Sequence, residues 1–235
     1  MGTVTHLAAD GGRVVIGGPV DLSKPSTSVF VASFGGRKHE FTTGPFAFGQ
    51  SVAAEFAVAL DEEYSFQGGR LRLGSAVQVF PPDGFEYLLH LGVWEGTSWS
   101  LETGFYEGDL SYMIALFDQF TILERTHGLV VGPKDPAITP IDEGRALQPR
   151  LLKVVPGLGL LEVQQRTSDV EGGLPNWVGS SVAGGELFRD GERFGRHWFI
   201  LVGETAVTVI DPDQVPEQSL LSRLSAVTVS WDATT

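Results

Sequence analysis

The chain has 235 residues, enough to bury a core in one large or two small domains, and 42% hydrophobic with 19% charged residues is the composition of a folded protein rather than a disordered one. A formal charge of −13, from 29 acids against 16 bases, repels phosphate backbones and anionic lipid heads, which weighs against nucleic acids and membrane surfaces as partners. With no cysteine, disulfide frameworks, thiolate metal sites, iron–sulfur clusters and thiol nucleophiles are excluded.

MGTVTHLAADGG at the start lacks both a basic lead and an apolar core, so no signal peptide is expected, and no apolar run is long enough to span a bilayer. The expected compartment is a reducing cytoplasm, or the outside of the cell by some other carrier. Thirty glycines and 13 prolines interrupt short apolar runs throughout, the texture of short strands joined by turns.

The first predicted strand is Arg13 to Ile16, bracketed by glycine pairs. A hairpin follows, with strands Ser28 to Phe34 and Lys38 to Thr42 about a Gly35-Gly36 turn. SVAAEFAVALDEEY is ambiguous: Val52, Phe56, Ala59 and Glu63 keep a helical period, whereas Phe56, Val58 and Leu60 alternate. The neighbouring strand signals favour a strand there. Pro81-Pro82-Asp83-Gly84 predicts a turn between strands Ala76–Phe80 and Phe85–Trp94. In the second of these, Phe85, Tyr87, Leu89, Leu91 and Val93 share one face, and Leu88 and His90 the other. GDLSYMIALFDQF predicts a helix capped by Asp109, with Leu110, Ile114, Phe117 and Phe120 at helical spacing. FTILERTHGLVVG reads as strands turning near Thr126 to Gly128.

Gly132 to Gly144, proline-rich and without periodicity, reads as a linker. It divides the chain into a β-rich region 1–131 and a β-rich region 145–235, which can also pack as one unit. Beyond it, LLKVVPGLGLLEVQQRT predicts two strands around Pro156-Gly157, and SDVEGGLPNWVGSSVAGG a loop. Asp190-Gly191 predicts a two-residue hairpin turn between Glu186–Arg189 and Glu192–Phe194. Arg196 to Val202 predicts a strand with Trp198, Ile200 and Val202 on one face and His197, Phe199 and Leu201 on the other. TAVTVID is the next strand, ended by Asp211-Pro212; a short helix from Pro216 to Leu224 and a last strand, AVTVSW with Val227 and Val229 inward, complete the chain. The expected fold class is therefore mainly β, an antiparallel β-sandwich or barrel-like architecture with one or two short helices.

Tested for chemistry, the sequence offers little. The histidines at 6, 39, 90, 127 and 197 show no HxH, HxxxH or HExxH pairing, and His90 and His197, beside bulky apolar residues in strands, read as structural. Gly179 to Gly184 fails the nucleophile-elbow frame because Ala183 stands where the second glycine belongs. Gly157 to Glu162 carries GxGxx with no helix to follow, so it reads as a β-turn rather than a dinucleotide site. Asp61-Glu62-Glu63 and Asp211 with Asp213 offer oxygen atoms but lack the spacing of a calcium loop. The charges of FRDGERFGRHWFILVGETAVTVIDPDQ fall at predicted turns and strand ends, where a β-meander explains them without chemistry. No catalytic, cofactor-binding or metal-binding residue is assigned, and no enzymatic activity is expected.

In its β-rich, acidic, cysteine-free and glycine-loop texture the chain resembles the minor structural proteins of tailed bacteriophages, among them tail, tail-tip and head–tail connector components. The resemblance covers the whole chain and rests on no diagnostic motif. It implies a non-enzymatic structural subunit of a large assembly, acting through protein–protein interfaces. It also implies copies of itself and other assembly subunits as partners, and a place in the virion after assembly in the host cytoplasm. Two other readings stay open: a carbohydrate- or ligand-binding β-sandwich, its sugar platform built from the tryptophans at 94, 99, 177, 198 and 231 and suited to a host surface glycan, and a jelly-roll enzyme whose site forms only in three dimensions.

Overall fold

The structure, a computed structural model, describes residues 2–80, 84–106, 108–134, 148–193 and 196–233. Strands occupy 56% of the described residues and helices 14%, which places the protein in the mainly β class with a large antiparallel sheet. Four short helices are described, against the one or two expected. Contacts divide the chain into two compact units: residues 2–27 with 149–233, and residues 28–134 with 148. The division into 1–131 and 145–235 keeps residues 2–27 with the first half. The contacts group them with the second, because the last strand pairs onto them. The predicted linker lies for the most part at 135–147, outside the described residues.

The first unit is a two-layer β structure. One layer is β1 (Gly2–Leu7), β2 (Arg13–Gly18) and β17 (Thr228–Asp232), with β2 in the middle. The other has the order β13 (Ser180–Val182), β14 (Gly185–Arg193), β15 (Arg196–Val202), β16 (Ala206–Pro212), β12 (Gly159–Gln165) and β11 (Arg150–Val155). Alternation dictates this: Val14 and Ile16 of β2, Leu161 and Val163 of β12, and Phe199 and Leu201 of β15 all point into one buried cluster with Val229 and Trp231. Helix α4 (Glu217–Leu224) closes that core with Leu220 and Leu224. The opposite face of β15 is apolar too. Ile200 and Val202 pack with Phe188 and Val207 under Val170 and Leu174, from the short helix α3 (Ser168–Glu171) and the turn after it.

Two expectations fail in this unit. β14 runs straight through Asp190-Gly191, which forms an irregularity between Arg189 and Glu192 rather than a hairpin turn; the Asp190 side chain accepts the Gly191 amide at 2.7 Å. Pairing of Glu192 with His197 and Arg193 with Arg196 carries the ladder two residues past the expected turn. GSSVAG is not loop alone, since β13 adds an edge strand to β14 and Glu186 fixes its start by accepting the Gly179 amide at 2.7 Å.

The second unit is one six-stranded antiparallel sheet covered on both faces. Its order is β3 (Ser26–Phe34), β4 (Arg37–Pro45), β8 (Trp99–Phe105), β7 (Phe85–Glu95), β6 (Gly69–Phe80) and β5 (Glu62–Phe66). Gly35 and Gly36, at φ of 58° and 76°, make the β3–β4 turn that two adjacent left-handed residues permit. One face carries helix α1 (Phe46–Glu55), whose Ala53 packs with Val58, Leu89, Leu91 and Val93. This helix replaces part of the strand expected near Val52. Gly49 lets its backbone approach Val93 so closely that no side chain would fit between them. The other face carries α2 (Leu110–Phe117) and the hairpin β9 (Phe120–Arg125) with β10 (Gly128–Pro133). Asp109 caps α2 as expected, accepting the Tyr112 amide at 2.9 Å. The buried stripe of α2 is Met113, Leu116 and Phe117, one residue round from the expected one. Phe30, Phe41, Phe117 and Phe120 stack beneath it at centroid distances of 5.1–6.2 Å.

Candidate functional site

The register of β6 and β7 builds the most distinctive surface of the second unit. The two strands pair along their whole length, from Arg70↔Glu95 to Phe80↔Phe85. Their neighbours are shorter: β5 reaches β6 only as far as Leu73, and β8 reaches β7 only from His90. Beyond Ser75 and His90 the pair therefore leaves the sheet as a two-stranded ribbon. Gln78 Nε2 donates to the Phe56 carbonyl at 2.7 Å and ties one edge down.

The ribbon departs from the usual solvent-facing pattern. Val77, Val79 and Leu88 line one face, and Phe85 and Tyr87 the other; they are 58%, 60%, 45%, 63% and 46% exposed. Tyr106, also exposed, packs edge-on to Tyr87 at 6.2 Å. The face shared by Phe85, Tyr87, Leu89, Leu91 and Val93 was legible in the alternation. Its division was not: Leu89, Leu91 and Val93 are buried under α1, while Phe85 and Tyr87 stand in solvent. The turn at 81–83 lies outside the described residues.

At the root of the ribbon is a cluster that the sequence did not bring together. Ser75 and His90, opposite one another across the ladder, share a 2.7 Å hydrogen bond between Oγ and Nδ1. The Phe105 ring lies between His90, at 5.4 Å, and His39, at 5.8 Å. Tyr112 donates its hydroxyl proton to the Phe34 carbonyl at 2.9 Å and meets His39 Nε2 at 2.8 Å. Burial, with Arg37 nearby, holds the His39 pKa below the usual imidazole range. Ser75 and His90 have the reach of a nucleophile and its base. The acid near them, Asp109, is engaged at the helix N-terminus by Ser111 Oγ at 2.5 Å and the Tyr112 amide. His39 and His90 are 4% and 6% exposed, so the arrangement satisfies buried polar groups inside an aromatic packing layer.

Two buried ionic groups also escaped the sequence, where a single charge in a strand reads as solvent-facing. Glu95, with no exposed side-chain surface, is held by Arg70 at 3.0 Å, Gln50 Nε2 at 3.1 Å and Arg72 at 3.7 Å. In the first unit Lys153, 1% exposed, donates from Nζ to the Lys24 carbonyl at 2.5 Å, and burial pushes its pKa down.

The charged stretch from Phe188 to Gln214 does gather residues. His197, Phe199, Asp213, Gln214, Glu217 and Leu220 line a hollow of about 170 Å³ in the first unit. Its acids are already engaged: Asp213 accepts the Gly157 amide at 2.8 Å, and Glu217 pairs with Arg189 at 3.1 Å. Glu63 of the acidic run 61–63 is ion-paired with Arg70 and Arg72. Among the described residues no group of three or more histidines and acids is placed to hold a metal ion, and no helix is long and apolar enough to cross a membrane. Of the tryptophans, Trp94 and Trp231 are buried and Trp177 is half exposed in a loop. His127 is exposed in the β9–β10 turn of the second unit, and His197 lines the hollow of the first.

No protein-family model, curated protein or solved structure matches the chain.

Proposed function

We propose that this chain is a non-enzymatic structural subunit of a large assembly, most simply a tail or connector component of a phage virion, acting through protein–protein interfaces. The observation that carries the reading is the apolar ribbon beyond Ser75 and His90. Five large apolar side chains on its two faces stand 45–63% exposed, an arrangement that costs solubility in a free monomer and is ordinary in a subunit whose neighbour covers it. The acidic, cysteine-free composition that resembles such proteins points the same way, as do Glu95 with Arg70 and Arg72 and Glu217 with Arg189, whose charges tie strands and helices together. The chain is then made in the host cytoplasm and ends in the virion.

The test is the mass of the particle that carries the chain in its own source, isolated without overexpression. Sedimentation with a particle far heavier than the 25.3 kDa chain is the expected result. Recovery only as a free 25.3 kDa species overturns the reading.

A further inference from the structure

We propose that helix α1 is a pH-operated latch on the sheet of the second unit: its C-terminal half stays down while Glu102 is protonated and lifts when Glu102 ionises, uncovering Leu89, Leu91 and Val93.

Strand register places the acid on the helix side of the sheet. Glu102 of β8 stands opposite Thr42 of β4 and Val93 of β7, and residues paired in this way share a face. That face is the one α1 covers. The Gly49 amide donates to Ser100 Oγ at 3.3 Å, two residues from Glu102, and Ala53 packs with Val93. Glu40 lies two residues from Thr42 on the same face of β4, and Glu55 is the last residue of α1. Carboxyl groups from β8, β4 and α1 thus face one another. The basic groups around them are absent, distant or engaged. Neither α1 nor β8 contains Lys, Arg or His, and β3 offers Val29 and Val31 on this face. Arg70 and Arg72 of β6 are held by Glu95 and Glu63. Lys38 is two residues past Glu40, farther from Glu102, and His39 lies on the opposite face against Phe105. Burial, with Glu40 and Glu55 adding to it against a hydrogen bond to Thr42, pushes the Glu102 pKa up to about 7. Once ionised, Glu102 is repelled by both acids and by the carbonyl end of α1, whose last turn holds no base.

The helix is the part that yields. Only Gly49 and Ala53 of its ten residues are fully buried, and Pro45 gives it no side-chain cap, so little holds it beyond its contacts with the sheet. Its N-terminal half is tied by hydrogen bonds: the Phe46 amide to the Ser98 carbonyl at 2.8 Å, Gly49 to Ser100, and Gln50 to Glu95. Its C-terminal half rests on Ala53 and on the Gln78 bond to the Phe56 carbonyl, and leaves through Ala57, a non-glycine residue at a φ of 52°. The lift therefore starts at the Glu55 end. What it uncovers continues the ribbon, because Leu89, Leu91 and Val93 share the face of Phe85 and Tyr87. The exposed apolar strip of β7 lengthens as pH rises. This behaviour belongs to the second unit by itself and does not depend on the assembly reading.

The experiment is hydrogen exchange of the purified full chain, read by mass spectrometry over residues 46–55 at about pH 5 and about pH 8 and corrected for the intrinsic pH dependence of exchange. A raised pKa favours the closed helix fully below 4.5, and that preference is lost as pH climbs through about 7. Opening of α1 should therefore increase at least about tenfold between the two conditions. Helix α2, on the other face of the same sheet, should show no such rise, and Glu102→Gln should keep α1 closed at both pH values. An α1 that opens equally at the two pH values overturns the proposal. So does an α2 whose opening rises as much as that of α1, since the unit is then loosening as a whole. A Glu102→Gln chain as pH-sensitive as the parent overturns it too. The parent chain alone decides the first two outcomes, so the test holds even where the variant fails to fold.

Discussion

Glu95 is the residue whose environment is least forgiving. Its carboxylate has no exposed surface and is held by Arg70, Arg72 and Gln50, which ties β6, β7 and α1 together. Removing one partner of a buried ion pair leaves the others uncompensated. Arg70 is half exposed and Arg72 partly so, and water relieves some of that cost. Glu95→Ala should therefore destabilise by about 2–3 kcal/mol in urea unfolding, and a loss under about 0.5 kcal/mol would show the network to be idle. Glu102, near Thr42, Glu40 and Glu55, is the opposite case: burial, with its acidic neighbours, raises its pKa from 4.5 to about 7. The folded state thus prefers the protonated acid. Its contribution to stability is complete below pH 4.5 and is lost as pH rises from there through 7. Glu102→Gln should stabilise at pH 8 by up to about 3 kcal/mol and change nothing at pH 4. Equal effects at the two pH values would refute the assignment.

At the scale of elements, close backbone approach decides what fits. The segment from Phe56 to Leu60 lies along β6, with Arg72 donating to the Leu60 carbonyl at 3.0 Å. A methyl group at Gly74 would fall on the Ala59 carbonyl oxygen. Backbone cannot swing aside as a flexible side chain can, so Gly74→Ala should cost about 2–3 kcal/mol by chemical denaturation. Gly132→Ala, where nothing lies within 4 Å, provides the comparison and should stay within about 0.5 kcal/mol of the parent. The same approach explains α1. A strand was expected near Val52 because Phe56, Val58 and Leu60 alternate, but Phe56 caps the helix and Ala57 turns left-handed at a φ of 52°, after which Val58 packs into the core beneath α1.

For the molecule as a whole, the first strands belong with the last. β2 is the central strand of its layer and pairs with both β1 and β17, and Val14, Ile16, Val229 and Trp231 share one core. Deleting residues 1–18 would unpair β17 and open that core. Hydrogen exchange should then show loss of protection over 149–233 while the strands of 28–134 keep theirs. Retained protection in β11, β12 and β15 would show that the N-terminal strands are dispensable to the first unit.

The class of fold, most strand positions, the Asp109 cap and the alternation of β7 and β15 were legible in the sequence, because each depends on local period and turn chemistry. The helix α1, the continuation of β14 past Asp190-Gly191 and the pairing of β2 with β17 were decided only in the tertiary structure. They follow from what each segment packs against and not from its own residues. The candidate surface divides the same way. That Phe85, Tyr87 and Leu89 share a face is written in their spacing; that the first two reach solvent while the third is covered depends on where β5, β8 and α1 end. Strand length relative to neighbours is a property of the assembled sheet, and no single stretch of chain contains it.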